Sequence, residues 1–204
     1  MPIRDHAKIW NLYAPVYDIF MMSNKKAYQE IYQKIRKIIA NKKVLEIACG
    51  TGLISNHTAN VSKAYIAIDF SENMLIQAQK HKKAGQLHYM KADACALPFE
   101  NHSFDVVIIA NALHIIPHAE KVLAEIARVL KSGGILIAPN FIHENLNRKA
   151  KFMSDLLTMA GIAFQMKWDA EGYVQFLKEH HFQVKKKEIL KATIPLMYTE
   201  AVRK

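Results

Sequence analysis

Three acidic side chains, Glu46, Asp69 and Asp93, each close a short apolar run: VLEIA from Val44, AYIAIDF from Ala64 and QLHYMKAD from Gln86. The first run leads into Ala48-Cys49-Gly50-Thr51-Gly52, a turn of small residues. Glycine at such a turn lets the backbone approach a ligand, and amides opening a helix can face an anionic group. A carboxylate at the end of the next run, Asp69, can accept two hydrogen bonds from a ribose diol. A dinucleotide site would ask for a third glycine where Ser55 stands and has no use for Glu46. Three acids at successive strand ends fall on the carboxyl edge of a parallel sheet, where one nucleoside-type ligand can be gripped by all three.

That placement requires the apolar runs to be strands and the segments between them helices. Two further runs, FDVVIIAN from Phe104 and GGILIAPNF from Gly133, continue the series, with helices expected near Leu53, Ser71 and His118. Ser71 is the expected N-cap of the second. Strand and helix alternating at this pitch mean βαβ units and a parallel sheet. Residues 25–40 repeat Tyr28, Ile31, Tyr32, Ile35, Ile38 and Ile39 on one helical face among lysines, an amphipathic helix ahead of the sheet. A helix is expected over about 147–160 and another after Asp169, its cap. The last two runs, FQVKKKEIL and ATIPLMYTEAVRK, have no crossover helix between them and should pair antiparallel.

Taken in order, Glu46-x-x-x-Gly50-x-Gly52, then IDFSENML with Asp69 and Met74, then Asp93-Ala94 with LPFENHSFDVV, then VLKSGGILI resemble the class I S-adenosylmethionine-dependent methyltransferases from roughly Lys42 to Pro139. The resemblance implies an α/β fold: a Rossmann-like, doubly wound, mostly parallel seven-stranded sheet with an antiparallel last strand and an N-terminal helical extension. It implies S-adenosyl-L-methionine as cofactor and S-adenosyl-L-homocysteine as product. Ala48, Cys49, Gly50 and Gly52 would hold the methionine portion, Asp69 the ribose hydroxyls, Met74 the adenine face, and Asp93 with the Ala94 amide the adenine edge. Glu46, Phe70, Asn111 and Tyr17 complete the expected cofactor shell. Alanine at position 48 departs from the glycine usual in the family. The opening WNLYAPVYDIF is similar to the segment before the core in quinone-biosynthesis C-methyltransferases and bacterial phosphatidylethanolamine N-methyltransferases, where it covers the cofactor and shapes the acceptor pocket. That role is carried to Tyr13 and Tyr17, with residues 1–41 as a lid on a methyltransferase domain of residues 42–204.

Methyl transfer from a sulfonium is an in-line displacement in which the leaving group becomes a neutral thioether. Catalysis is then chiefly proximity and orientation, worth up to roughly 7–11 kcal/mol, and a base matters only where the acceptor loses a proton. The candidates for such catalytic work are His114 in ANALHII, His143 in PNFIHEN, and Tyr17. His180-His181 reads as a helix end, and no metal site is expected. Cys49 and Cys95 read as small packing residues flanking the cofactor. The expected acceptor is small or amphiphilic: a lipid headgroup, a quinone, or a small amine, thiol or phenol. The alternatives are a nucleic-acid methyltransferase and a non-catalytic binding module on the same fold. Asn111-Ala112-Leu113-His114 is not the Asn/Asp-Pro-Pro-aromatic motif of base-amine enzymes, and no cysteine follows Cys95 to serve cytosine C5 chemistry, so nucleic acid is disfavoured.

Composition fits this reading. At 204 residues, 51% hydrophobic and 23% charged, the chain can bury a full core and is neither disordered nor collagen-like. Two cysteines cannot build a disulfide framework, and no signal peptide or membrane-spanning run is present, so a cytoplasmic protein is expected, monomeric or homodimeric. The formal net charge of +10 is uneven: residues 1–43 carry nine basic and three acidic side chains, 44–140 eight of each, and 141–204 eleven and seven. The excess therefore lies on the segments expected to frame the acceptor, which fits an anionic substrate, peripheral association with an anionic membrane, or a surface that serves solubility alone.

Overall fold

The apolar runs assemble into one sheet in the computed structural model, which describes residues 9–15, 17–144, 146, 148–159 and 165–204. Its strands are β1 (Lys43–Ile47), β2 (Ala64–Asp69), β3 (Leu87–Lys91), β4 (Phe104–Ile109), β5 (Leu130–Ile137), β6 (Asn140–Phe141), β7 (Phe182–Leu190) and β8 (Leu196–Arg203). Spatial order is β3-β2-β1-β4-β5-β8-β6, with β7 on the free flank of β8. The pairs from β3 to β5 are parallel, while β8 runs antiparallel to β5, β6 and β7. An eighth strand thus joins the seven expected. Pro139 cannot donate to a ladder, so the fifth run breaks after Ile137 and resumes as β6, pairing Asn140 with Met197 and Phe141 with Leu196. Strand order reverses between β1 and β4, which opens a crevice at the carboxyl ends of those two strands.

The pleat of the strands sends alternate side chains to two apolar clusters, one on each face. Leu45, Ile47, Val107 and Ile109 join one; Val44, Val106 and Ile108 join the other. The helices that cover them are α1 (Tyr17–Met21), α2 (Lys25–Ile39), α3 (Ser55–Thr58), α4 (Glu72–Lys80), α5 (Ala119–Val129), α6 (Arg148–Met159) and α7 (Ala170–Glu179). Ile31, Ile35 and Ile39 of α2 are fully buried on one face, and Val122, Ile126 and Val129 of α5 on the other. Each such side chain contributes roughly 1.5–3 kcal/mol by leaving water. Ser71 caps α4 by accepting from the Met74 amide at 3.2 Å, and Asp169 caps α7 by accepting from the Gly172 amide at 2.7 Å, both as expected.

The helix expected near Leu53 is a single turn that passes into a 3-10 turn at Ala59–Val61. Its residues are poor helix formers whose side chains bond backbone instead: His57 pairs with Leu53, Thr58 donates to Ile54, and Asn56 to Ala78. Parts of two expected features, residues 1–8 of the N-terminal extension and 160–164 on the acceptor side, lie outside the described residues.

Candidate functional site

The turn after β1 holds three residues in left-handed conformation: Ala48 (φ 53°), Gly50 (φ 54°) and Gly52 (φ 79°). Glycine adopts this geometry freely, while Ala48 does so against the clash of its β-carbon. At Gly52 the demand is also spatial, because a β-carbon there would overlap Tyr89 Oη and Asn56 Nδ2. The turn is consequently pressed onto α3 and β3, leaving Ala48 and Gly50 on the wall of a cavity at the sheet's carboxyl edge.

Asp69 ends β2 facing that cavity. Its two carboxylate oxygens accept from the Gly50 amide and the Ser71 amide, each at 2.8 Å, so one side chain ties the glycine turn to the start of α4. Burial pushes the Asp69 carboxyl above its ordinary range, an effect opposed by the Ser71, Gly50 and Phe70 amides. Phe70, Met74, Asp93 and Ala94 share the same wall. Asp93 accepts from the Cys95 amide at 2.8 Å and so fixes the loop that follows β3. Farther along, Arg128 of α5 donates to the carbonyls of Leu97 and Phe99 at 2.9 and 2.6 Å, while Glu125 accepts from the Leu97 amide at 2.7 Å. The LPFENHSFD segment is thus a clamp on α5 that positions the wall carrying Asp93.

A strap from the N-terminal segment closes the cavity on its outer side. Trp10 and Tyr17 both line it, their rings edge to face with centroids 6.1 Å apart. Neighbours of each hold the strap down: Asn11 Oδ1 accepts from Ser71 Oγ at 2.6 Å, and Asp18 accepts from Thr51 Oγ1 at 2.5 Å. Burial holds the Tyr17 phenol well above its ordinary range, with Tyr28, Asp18 and Asp69 adding to the effect. Past β4, Asn111 adopts φ 51°, donates its backbone amide to Pro139 at 2.8 Å and its side-chain amide to Tyr28 Oη at 2.9 Å. Asn111 stands on the cavity wall, while its Oδ1 is buried without a hydrogen-bond partner.

The expected site residues divide by position. Tyr17, Ala48, Gly50, Asp69, Phe70, Met74, Asp93, Ala94 and Asn111 line the cavity together. Glu46, Cys49 and Gly52 lie behind this wall, and Tyr13 is not part of it. Glu46 is 2% exposed, accepts from Tyr65 Oη at 2.9 Å, and burial raises its carboxyl to about 8, so it carries a proton at neutral pH. His114 and His143 also stand off the wall. His114 is buried, its Nδ1 lies 2.7 Å from Asn140 Oδ1, and burial lowers it to about 4, which leaves it neutral and weakly basic. His143 Nε2 lies 3.2 Å from Ser154 Oγ of α6, and burial lowers it as well. These histidines knit β4, β6 and α6 together rather than facing the cavity.

Trp10, Cys95 and the run Ile115-Ile116-Pro117 are wall residues to which the sequence reading gave no binding role. Ile115 and Ile116 adjoin His114 in ANALHII and carried no chemical signal of their own, while Trp10 lay inside the N-terminal segment already singled out. No group of side chains suited to a metal ion occurs among the described residues.

Residues 45–138 match the family model described as a methyltransferase domain. The chain is 32% identical over 134 residues to a demethylmenaquinone methyltransferase of Renibacterium salmoninarum, covering 64% of this chain and 56% of that protein. It is 36% identical over 100 residues to a phthiotriol/phenolphthiotriol dimycocerosates methyltransferase of Mycobacterium leprae, covering 48% and 37%. The chain thus spans about half or less of the length of these curated relatives. A crystal structure of an S-adenosylmethionine-dependent methyltransferase from Thermotoga maritima, titled a possible histamine N-methyltransferase, superposes with a TM-score of 0.78 at 19% identity, over 97% of this chain and 99% of that one. The superposition gives this chain the fold of that structure, and residues 45–138 carry the methyltransferase-domain match.

Proposed function

We propose that the protein is an enzyme that transfers a methyl group from S-adenosyl-L-methionine to a small or amphiphilic acceptor, releasing S-adenosyl-L-homocysteine. The observation that carries this reading is Asp69, whose carboxylate bridges the Gly50 and Ser71 amides while facing a cavity walled by Ala48, Met74, Asp93 and Asn111. The residues fit the donor: Asp69 for a ribose diol, the turn at Ala48 and Gly50 for the methionine portion, Met74 for a flat base, and Asp93 with the Ala94 amide for its edge, with Asn111 on the same wall. When bound, the donor supplies an already activated methyl group. The chain's own work is to orient both partners and exclude water, for which the strap carrying Trp10 and Tyr17 is built. In this reading residues 1–41 act as a lid on the domain of residues 42–204.

The acceptor is read as an amphiphile of the quinone or lipid kind. The names of the curated relatives support this, as does an acceptor-side wall of Ile115, Ile116, Pro117 and Ala112, which offers apolar contact and no charge. A cytoplasmic enzyme working at the membrane surface fits such an acceptor, and none of the described helices is long and apolar enough to cross a membrane. Calorimetric titration with S-adenosylmethionine is the first test, with Asp69→Asn expected to weaken binding at least tenfold; absence of binding by the native chain refutes the reading. A membrane-lipid extract incubated with labelled donor then reports which compound gains the methyl group.

A further inference from the structure

Six large apolar side chains stand exposed among the described residues, and four of them belong to the N-terminal strap and to residues 148–166: Leu12 (74%), Met22 (69%), Phe152 (68%) and Met166 (42%). Leu12 follows Trp10, which lines the cavity, and Asn11, which accepts from Ser71 Oγ. Met166 donates its backbone amide to the carbonyl of His114, two residues before Ile116 on the wall. Phe152 is two residues from Ser154, which pairs with His143 at the same carboxyl edge. Beside Met22, Asn24 Oδ1 accepts from the Thr193 amide and Ser23 Oγ from Thr193 Oγ1, while Pro195 accepts from the amide of Ile142, the residue before His143, so the strap and the His143–Ser154 contact of α6 meet the same corner of β6 and β8. The exposed charged side chains near these residues are mostly cationic: Lys25 and Lys26 after Met22, Arg148 and Lys151 before Phe152, and Lys167 after Met166, against Asp155 on α6 and Asp169 ahead of α7.

We propose that this rim, Leu12, Met22, Phe152 and Met166 with their flanking lysines, docks on an anionic lipid bilayer and turns the cavity toward it. Isolated apolar side chains, three of the four beside long flexible cations, suit insertion at a headgroup layer, where the apolar part enters the acyl boundary and the cationic group stays at the lipid phosphates. The cavity wall among its described residues holds two carboxylates and no basic side chain, so the cations act on something outside it. The proposal rests on the amphiphilic-acceptor reading above and supplies the route by which such an acceptor enters.

Co-sedimentation of the full chain, without donor and at low salt, with vesicles of phosphatidylcholine alone and with about one-third phosphatidylglycerol tests it. The native chain should prefer the anionic vesicles at least tenfold and lose that preference as salt is raised. Leu12→Ser/Phe152→Ser and Lys25→Glu/Lys26→Glu should each lower binding about tenfold or more, while Ile76→Ser, an exposed apolar residue on α4, leaves it unchanged. No preference in the native chain, native-like binding by both double variants, or an equal loss with Ile76→Ser overturns the proposal. Calorimetry with S-adenosylmethionine on the same samples separates the two readings. Donor binding without vesicle binding sinks the docking surface alone, and vesicle binding without donor binding sinks the methyltransferase reading.

Discussion

Replacing Glu46 by glutamine should leave stability nearly unchanged at pH 5 and raise it at pH 8. The carboxyl is buried under the glycine turn, and desolvation lifts it from 4.5 to about 8 although Tyr65 and Ser55 bond to it. A group raised in the folded state contributes stability that is complete below its unfolded value and is lost as pH climbs through its folded one. Between pH 4.5 and 8 folding therefore takes up a proton, and stability falls by up to about 1.4 kcal/mol per pH unit. From pH 5 to pH 8 the loss accumulates to roughly 3–4 kcal/mol, a large share of the 5–15 kcal/mol typical of a domain. Glutamine keeps an acceptor for Tyr65 Oη and carries no titrating proton. Urea denaturation of both proteins at pH 5, 6.5 and 8 isolates this effect, because every other titrating group is common to the pair. The variant should gain steadily on the native chain with pH, or about 10 °C in melting temperature at pH 8. Parallel stability curves would refute the argument, since Glu46 would then be ionised and paired in the folded state.

Gly52→Ala should cost about 3 kcal/mol or more and abolish donor binding, because a β-carbon collides with Tyr89 Oη and Asn56 Nδ2 at φ 79°. Adding Tyr89→Phe removes one of the two obstacles and should recover part of the denaturation midpoint. Ala48→Gly should stabilise by about 0.5–1 kcal/mol in urea, the relief of a left-handed alanine exceeding the entropy that glycine adds to the unfolded chain. His114, lowered from 6.5 to about 4, makes folding less favourable as pH falls from 6.5 toward 4, and His114→Asn should flatten that part of the curve. If His114 is not the base, the same variant keeps most of the methyl-transfer rate, whereas a loss of a hundredfold or more would restore it to that role.

The parallel sheet was readable because β-branched runs recur at the pitch of βαβ units, and the cavity wall was readable where backbone geometry dictates residue type. Gly50, Asp69 and Asp93 stand where a turn or strand end demands them, so each carries its signal locally. Glu46 carried the same kind of signal and yet faces away from the cavity. A strand's period of two puts neighbouring side chains on opposite faces, and the pleat sends Glu46 beneath the turn toward Tyr65 while Ile47 reaches the wall. His114 and His143 were expected beside the acceptor from their place after β4 and β5. Neither their partners Asn140 and Ser154 nor their burial can be deduced from a sequence neighbour, because those contacts come from other elements. The wall formed by Trp10 and by Ile115-Ile116-Pro117 left no trace either, since apolar residues read the same whether they meet a core or a ligand.

Charge behaves differently, and its location bears on mechanism. The domain core from 44 to 140 has equal numbers of acidic and basic side chains, and the cavity wall presents Asp69 and Asp93 without a lysine or arginine among its described residues. A sulfonium donor is positive and its thioether product is not, so such a wall holds the donor more favourably than the product, by an amount that a neutral cavity could not supply. An anionic acceptor gains nothing inside it. The expectation of an anionic substrate therefore fits this cavity poorly, and the basic excess is better matched to a surface outside it. A ratio of donor to product affinity that stays unchanged in Asp69→Asn and Asp93→Asn would show that the carboxylates bind shape alone. A ratio that falls in both variants would show that their charge also drives product release.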